Sequence, residues 1–473
     1  MVPGAGGHPR TLRGDRPLSS DSIDRYEQLY VWGYPLVRSL QLRETMTRSE
    51  PGRERDSGRS AAAPLGEFGH QKLLSDPGYR VGVAPNVDTL YSVAWVDLLE
   101  GDLRLDLPDF GERYYAFQFG YADTTCHTVG KRTHGGVLGP VTIRWAPSLA
   151  EPALTSGQLG MELDCTCRFL MIAGRIMVDS SNPRDLHEVH ALQEEIRLSS
   201  PGTHARVPDA EPDASQSPVA SESGPGRHFF EQLSRVMDDL SVEAVDPDVR
   251  DLLAEVGWRP GERLGAEMPR FALDDAVARG FAMVRRGVAD AGQVRNGWMI
   301  NYAGVEFGRD WLLRASVAMA QIYINPAEEA LYPVLEVDSA GRGLVGDHRY
   351  RLRFTPGQLP PVTYFWSLTM YHAEGLLVAN PLSRYSVGDR SPHLRYEPDG
   401  SLELVVSHER PVEGEDNWLP APEGGFRLML RLYGPSPGCL SGKWSPPALV
   451  RDGVHDGGAE KPDPNQTKAG LAT

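Results

Sequence analysis

Cysteine is scarce in this 473-residue chain, which contains only four, at positions 126, 165, 167 and 439. So few thiols in a chain of this length argue against a disulfide framework. Cys165 and Cys167 stand two apart in "DCTCRF", without the C-x2-C spacing and the second ligand pair that a zinc site needs. Both would point to the same face of a strand, and we interpret them as small apolar core residues.

Lysine and long apolar runs are also scarce. Lysine occurs only at positions 72, 131, 443, 461 and 468, and the formal net charge is −16. This balance argues against a nucleic-acid partner, because neutralising phosphates requires clustered Lys and Arg. No run approaches the length of a membrane-spanning helix, so we predict no membrane partner. The N-terminal residues have no apolar segment of the kind found in secretory signals, so we predict a cytoplasmic location.

Several familiar motifs of enzymes are missing. The sequence has no P-loop, no dinucleotide-binding glycine fingerprint, no G-x-S-x-G and no zinc-binding motif. Their absence weakens the case for the enzyme classes that use them, and we expect neither a cofactor nor a metal.

What the sequence does contain is a change of hydrophobic period along the chain. Ser and Asp precede a helix-period apolar run that predicts a helix over 22–46, and a second amphipathic helix is predicted over 182–198. From residue 80 the period becomes two, with turns rich in Gly, Pro and Asp, which is typical of a sandwich or barrel. We predict a disordered leader (1–20), an N-terminal module (21–198), a flexible linker or insert (199–226), a helical layer (227–335), a C-terminal β-sandwich (336–451) and a disordered tail (452–473).

The predicted fold class is therefore mainly β with a helical layer, an α+β multidomain protein. It has an N-terminal β-barrel or sandwich module, a helical middle and a C-terminal β-sandwich that we expect to be jelly-roll-like. Turn signals such as "DSAGRG" at 338–343 and "PDGS" at 398–401 separate the C-terminal strands.

Several long strings carry a resemblance to a known family. They are "YVWGYPLV", "APNVDTLYSVAWVDL", "RYYAFQFGYADTTCHTVGKRTHG", "FWSLTMYH", "NPLSRYSVGDR" and "NWLPAP". In this order they resemble a two-module bacterial family, domain of unknown function 1254 followed by domain of unknown function 1214. The resemblance covers most of residues 22–451 and implies an N-terminal β-module, a helical part and a jelly-roll-like C-terminal sandwich.

The candidate chemistry begins at a turn that leads into a strand. Asn86 and Asp88 can hold this turn by accepting hydrogen bonds from backbone amides, and Tyr91 is a common strand residue. The functional interpretation makes Asp88 a general acid or base, Tyr91 a hydrogen-bond donor and Asn86 a contact to the substrate. Both interpretations stay open, with the structural one somewhat favoured.

Charged and aromatic residues inside apolar runs supply the remaining candidates. Arg113 and Arg314 would each need a partner if buried, and either can pair with a carboxylate or clamp an anionic ligand. Trp366 and Asn417 can stack on and hydrogen-bond a flat polar ligand. For Trp366 we favour a place in the sandwich core, whereas the Asn417 amide must find partners somewhere.

Two functions remain open from the sequence. The first is a cofactor-poor enzyme of hydrolase or lyase type, acting on a small polar, anionic or carbohydrate-like substrate between the two β-modules. It requires Asp88, an arginine and an aromatic residue to converge on one cavity. The alternative is a non-catalytic ligand-binding or structural protein. A small-molecule partner fits both, and the sequence leaves the oligomeric state open.

Overall fold

The computed structural model describes residues 20–48, 58–79, 84–157, 160–200, 224–240, 243–259, 261–412 and 414–453. Most of the predicted leader, residues 201–223 of the predicted linker and residues 454–473 of the predicted tail lie outside the described residues.

The N-terminal module contains two five-stranded sheets. Its strands are β1 (Gly69–His70), β2 (Thr89–Asp97), β3 (Leu103–Asp106), β4 (Tyr115–Gly120), β5 (Cys126–Gly130), β6 (Val141–Trp145), β7 (Ala153–Ser156), β8 (Met161–Cys165), β9 (Phe169–Met177) and β10 (Arg197–Ser199). The strand orders are β1-β2-β9-β4-β5 in the first sheet and β10-β3-β6-β8-β7 in the second. Among the described strands neither sheet closes on itself, so the barrel alternative is wrong and the sandwich alternative describes the module.

The first sheet is buried on both faces. On one face Phe117 and Ile172 share a core with Val141 and Leu163 of the second sheet. On the other face its residues pack against the rest of the protein. Seven of the nine residues of β9 are buried and none is exposed. A strand covered on both sides needs apolar residues at nearly every position, which explains the continuous run "FLMIAGRIM".

A helical cluster forms beside the sheets. The described α-helices are α1 (Ser20–Thr47), α2 (Lys131–His134), α3 (Pro183–Glu195), α4 (Gly224–Asp238), α5 (Pro247–Glu255), α6 (Arg270–Val288), α7 (Trp311–Gln321) and α8 (Pro437–Leu440). Of these, α1 and α4 to α7 form the cluster. The helix predicted over 22–46 is confirmed as α1. It packs on α4, α6 and α7 through a shared apolar core that includes Leu29, Leu233 and Leu273.

The second predicted helix is shorter than expected. The chain leaves the helical conformation after Glu195, and residues 197–199 form β10 instead. At the other end Asn182 caps α3, because its side chain accepts a hydrogen bond from the amide of Arg184, and Pro183 occupies the first turn.

The C-terminal part is a sandwich of two sheets. Its strands are β11 (Gln293–Arg295), β12 (Trp298–Ile300), β13 (Ala330–Leu331), β14 (Val334–Leu335), β15 (Tyr350–Phe354), β16 (Val362–His372), β17 (Ser386–Gly388), β18 (Leu402–Ser407), β19 (Trp418–Pro420), β20 (Phe426–Pro435) and β21 (Leu449–Arg451). Seven strands form one sheet, around β16 and β20, and β19-β18-β15-β21 form the other. β11 to β14 lie inside the predicted helical layer, so its second half is not purely helical. The jelly-roll topology stays a prediction.

The two modules meet sheet against sheet. Tyr114 and Ala116, at the start of β4, share a buried cluster with Phe365 of β16 and Tyr433 of β20. The ring centroids of Tyr114 and Tyr433 are 5.2 Å apart. Polar and charged residues on these facing surfaces are therefore enclosed by both modules.

None of the described helices combines the length and the apolar character needed to cross a bilayer.

Candidate inter-module site

A cavity of about 510 Å³ lies where the two modules meet. The N-terminal module contributes residues 74–76, 87–88 and 179–181 to its wall, and the C-terminal sandwich contributes residues from β16 and from 382–393. Its polar side chains include seven serine hydroxyls (Ser75, Ser180, Ser181, Ser367, Ser383, Ser386 and Ser391), three carboxylates (Asp76, Asp88 and Asp179), two arginines (Arg384 and Arg390) and His393. Such a volume and such a lining suit a small polar molecule.

Asp88 occupies one side of this cavity, at the end of a turn that fixes its position. The Asn86 side chain accepts a hydrogen bond from the amide of Asp88 at 2.7 Å, and the strand β2 begins at the next residue. The Asp88 carboxylate is buried and binds two side chains of the other module. Oδ2 accepts from Ser367 Oγ at 2.6 Å, and Oδ1 pairs with Arg390 Nη2 at 2.6 Å. The carboxylate is thus held by side chains rather than by backbone amides.

Arg390 is fixed on several sides. Besides Asp88, it donates a hydrogen bond to the carbonyl oxygen of Val178 at 2.8 Å, and its guanidinium carbon lies 4.0 Å from the ring centroid of Phe365. These contacts orient the guanidinium toward Asp88, although its buried Nε has no hydrogen-bond partner.

Arg384 brings a second positive charge to the cavity wall. Its Nη1 donates to the carbonyl oxygens of Glu415 at 2.7 Å and Trp418 at 2.8 Å. No carboxylate among the described residues forms an ion pair with it. Burial lowers the pKa of Arg384, and the carboxylates of Glu415 and Asp416 oppose this effect. The charge is therefore held by neutral carbonyls and is left without a directly paired anion.

His393 lies close enough to Arg384 to be affected by its charge. Burial, and then Arg384, lower the pKa of His393, so the neutral imidazole is favoured. Its Nε2 is buried and has no hydrogen-bond partner. Arg384 and His393 thus present unused donor and acceptor capacity at the cavity wall, where a bound anion or hydroxyl group can use it.

This arrangement differs from a metal centre. Among the described residues no group of three His, Cys, Asp or Glu side chains is placed to hold a metal ion. What converges is a carboxylate with a serine hydroxyl on one side, and an arginine with a histidine on the other. Such groups can bind an anionic, hydroxyl-bearing molecule and can exchange protons with it.

The structure places the predicted arginines away from Asp88. Arg113 binds Asp185 through both of its terminal nitrogens, at 2.7 and 2.6 Å, and does not line the cavity. Arg314 pairs with Asp123 at 3.3 Å and belongs to α7. Both have the carboxylate partner that burial demands, as the salt-bridge interpretation expected. The arginine beside Asp88 is Arg390.

The remaining predicted residues divide between the cavity and other places. Trp366 lines the cavity, although it is only 2% exposed and packs in the sandwich core. The Asn417 amide accepts from the amide of Arg395 and donates to the carbonyls of Arg395 and Glu403, so it connects loops outside the cavity. Tyr91 does not line the cavity but faces Arg175 across the first sheet.

Sequence reasoning missed most of the cavity residues, including four that matter for its chemistry, namely Ser367, Arg384, Arg390 and His393. Ser367 lies inside the string "FWSLTMYH", and Arg384 and Arg390 lie inside "NPLSRYSVGDR", and both strings indicate the family rather than a site. His393 follows two residues after a serine in a loop and carries no local signal. The two arginines in a short serine-containing loop were the one signal that could have pointed to this wall.

Family models match both modules. The model described as "Protein of unknown function (DUF1254)" matches residues 65–200, and the one described as "Protein of unknown function (DUF1214)" matches residues 329–437. The order is the one expected from the sequence. The chain is a DUF1254–DUF1214 protein. Of the cavity residues, those at 74–88 and 179–181 fall in the first match and those at 366–393 in the second.

One solved structure shares the fold. The crystal structure of the VPA0106 protein from Vibrio parahaemolyticus superposes with a TM-score of 0.66 at 20% identity, covering 91% of this chain and 99% of that one. A putative uncharacterized protein from Burkholderia cenocepacia matches with a TM-score of 0.43 at 13% identity, covering 93% of this chain and 91% of that one. No curated protein matches the sequence.

Proposed function

We propose that the chain binds a small anionic, hydroxyl-rich molecule, such as a sugar acid, in the cavity between its two modules. The observation that carries this proposal is the pair Arg384 and His393, whose polar groups at the cavity wall lack an anionic partner. A guanidinium fork matches the geometry of a carboxylate and favours an anion over a neutral sugar.

The rest of the lining supports a hydroxyl-rich ligand. Serine hydroxyls both donate and accept hydrogen bonds, and seven of them surround the space. Tyr385 adds aromatic surface to the wall, against which the C–H face of a sugar ring can pack. A purely apolar ligand would leave these polar groups unsatisfied, which is unfavourable.

Asp88 and Ser367 would supply the chemistry if the bound molecule is turned over. The carboxylate already accepts the hydroxyl proton of Ser367 in a hydrogen bond of 2.6 Å. It can therefore take a proton from a hydroxyl or carbon acid of the ligand that displaces Ser367, as a hydrolase or lyase of the predicted type requires. Arg390 would keep the carboxylate oriented throughout.

A second function, binding without catalysis, is favoured by one observation. Both oxygens of Asp88 are engaged, by Ser367 and by Arg390. To act as a general base, Asp88 would first have to break one of these contacts so that an oxygen is free to accept a proton. A structural carboxylate can keep both contacts.

Calorimetric titration with galacturonate and gluconate, beside glucose, tests the proposal. We expect the two acids to bind and Arg384→Gln to weaken their binding about tenfold or more. Arg395→Gln is the matched control, because it removes the same charge from an exposed arginine outside the cavity. Equal binding of glucose, or equal effects of the two substitutions, would contradict the anionic ligand. Product formation followed by NMR, lost in Asp88→Asn, separates catalysis from binding.

A further inference from the structure

Two arginines lie in the interior where the modules meet. Arg175 is 7% exposed in β9, and Arg431 is 3% exposed in β20. Placing a charged group in a protein interior is costly unless other groups compensate the charge and satisfy its hydrogen bonds. The partners of each guanidinium therefore show whether the protein alone satisfies its charge and its hydrogen bonds.

Arg431 is well provided with partners. It donates to Thr369 Oγ1 at 2.8 Å, to the Tyr371 hydroxyl at 2.7 Å and to the carbonyl oxygen of Ala84 at 2.9 Å. Asp88 lies near enough for its charge to raise the pKa of Arg431, after burial and the neighbouring tyrosines have had their larger effects. This guanidinium needs no further ligand.

Arg175 is not satisfied in the same way. Its Nη2 donates long hydrogen bonds to Gln118 Oε1 at 3.1 Å and to the carbonyl oxygen of Tyr323 at 3.3 Å. Its Nη1 is buried and has no hydrogen-bond partner. Among the described residues Arg175 forms no ion pair with a carboxylate, and its cross-strand neighbour on β2 is Tyr91.

A second unsatisfied polar group lies on the segment beside Arg175. Asn325, two residues after the Tyr323 carbonyl that Arg175 contacts, is fully buried. Its Nδ2 donates to the hydroxyl of Tyr332 at 2.7 Å, and its Oδ1 has no partner. If the amide is turned round, Tyr332 donates to the oxygen and the nitrogen is left unsatisfied instead. One end of this amide therefore lacks a partner in either orientation.

Two tyrosines, Tyr91 and Tyr332, lie near Arg175. Burial is the largest influence on the pKa of both Tyr91 and Tyr332, yet each keeps part of its surface accessible. Tyr332 packs against three separate apolar clusters at the boundary between the modules. Side chains that are surrounded by protein and still accessible are expected to border an internal space rather than the outer surface.

We infer that this space is a second binding site, which takes a small carboxylate of the size of formate or acetate. The ligand would accept hydrogen bonds from Arg175 Nη1 and meet the free end of the Asn325 amide, with Tyr91 and Tyr332 beside it. It would supply the negative charge that the buried guanidinium lacks. None of these four residues lines the inter-module cavity, so the site is separate from the one in the proposed function.

The competing source of negative charge is Tyr91 itself. Burial alone would raise the pKa of Tyr91, but Arg175, the Asn86 amide and Arg431 lower it below its ordinary value. A Tyr91 phenolate would compensate Arg175 without any ligand. The Tyr91 hydroxyl lies within hydrogen-bonding reach of Arg175. A Tyr91 phenolate would nevertheless leave Asn325 unsatisfied, which favours the carboxylate.

The test is NMR detection of carbon-13 formate binding at neutral pH in a buffer without other carboxylates. We compare the wild type with Arg175→Gln, Asn325→Ala and Arg384→Gln. We expect one formate to remain bound in Arg384→Gln, because this substitution removes only the anion-binding arginine of the inter-module cavity. We expect Arg175→Gln and Asn325→Ala each to weaken this binding about tenfold or more.

Two results would overturn the inference. The first is that formate binding disappears in Arg384→Gln, or that neither Arg175→Gln nor Asn325→Ala weakens it. If Arg175→Gln does not fold, Asn325→Ala decides, because it leaves every hydrogen bond of Arg175 in place. The second is that the wild type shows tyrosinate absorbance at neutral pH, which formate does not reduce and which Tyr91→Phe removes. Tyr91 would then be the counter-ion of Arg175.

Discussion

Asp88 and Ser367 belong to different modules, and their side-chain oxygens lie 2.6 Å apart. Together with the ion pair from Arg390 to the same carboxylate, this contact joins the N-terminal turn to the C-terminal sheet. The carboxylate therefore has its present surroundings only when the modules are docked. Stability and ligand binding are expected to be linked at this residue.

Asp88→Asn is expected to lower the free energy of unfolding by about 3 kcal/mol, because the buried Asp88 carboxylate is the counter-charge of Arg390, whose side chain is only 25% exposed. Urea denaturation measures the effect. Asp76→Asn is the control, since Asp76 also lines the cavity but pairs with Arg59 at a site that is more than a third exposed. There the loss should stay below about 1 kcal/mol. Losses of equal size would mean that the Asp88 pair is no more protected from water than the Asp76 pair.

Tyr114→Phe is expected to cost about 1.5–3 kcal/mol of stability. The Tyr114 hydroxyl donates to Glu329 Oε1 at 2.8 Å, and Glu329 is fully buried. Among the described residues, Arg132 is the one charged partner of Glu329. Tyr364→Phe is the matched control, because the Tyr364 ring packs on Tyr114 but its hydroxyl makes no hydrogen bond within the described residues. Chemical denaturation of both variants should show a clear difference, and similar midpoints would refute the role assigned to the hydroxyl.

Gly226→Ala is expected to destabilise the helical cluster. A Cβ atom at Gly226 would stand 2.3 Å from the carbonyl carbon of Leu273 and 2.5 Å from the amide of Asp274, and backbone of α6 cannot yield as a side chain can. Overpacking of this kind costs about 1–3 kcal/mol, which exceeds the gain of about 1 kcal/mol from alanine's higher helix propensity.

Gly343→Ala is the control for that substitution, because a Cβ atom there meets nothing within 4 Å. Thermal melting followed by circular dichroism should show a lower midpoint for Gly226→Ala and an almost unchanged midpoint for Gly343→Ala. An unchanged midpoint for Gly226→Ala would show that α4 and α6 can move apart at little cost.

His70 is expected to make stability depend on pH in the acidic range. Burial, and then Lys72, lower the pKa of His70 to about 4. Because the unfolded chain takes up the proton near the ordinary value of about 6.5, stability should fall as pH decreases from about 6.5 toward 4. His70 keeps part of its surface exposed, so the effect is smaller than the full shift implies. His70→Gln should flatten this part of the curve, and a curve of unchanged slope would show that other groups cause it.

Local features of the fold could be predicted from the sequence, because they depend on neighbours along the chain. The helix predicted over 22–46 appears as Ser20–Thr47, and the turn at Asn86 has the expected bond to the amide of Asp88. The arginine that meets Asp88 could not be predicted. Arg390 lies 302 residues away, and no periodicity or spacing relates two residues at that distance.

The cavity was predicted in general terms but not in its residues. An interface between two β-modules follows from the strand pattern, whereas the wall formed by 382–393 is an irregular loop around the short strand β17. Its conformation depends on contacts such as those of Arg384 with the carbonyls of Glu415 and Trp418, which arise only in the folded sandwich. Arg175 is a similar case, since its surroundings come from β2, β4 and residues 323–325 together.

The packing of α1 has a consequence for synthesis. This helix is made before α4, α6 and α7, which cover its apolar side and begin only at Gly224, Arg270 and Trp311. At ~5–20 residues per second, the ribosome needs roughly 10 to 50 seconds to supply them. During that interval residues such as Leu29 have no native partner, so the nascent chain carries an uncovered apolar helix that chaperones can bind and that can cause aggregation.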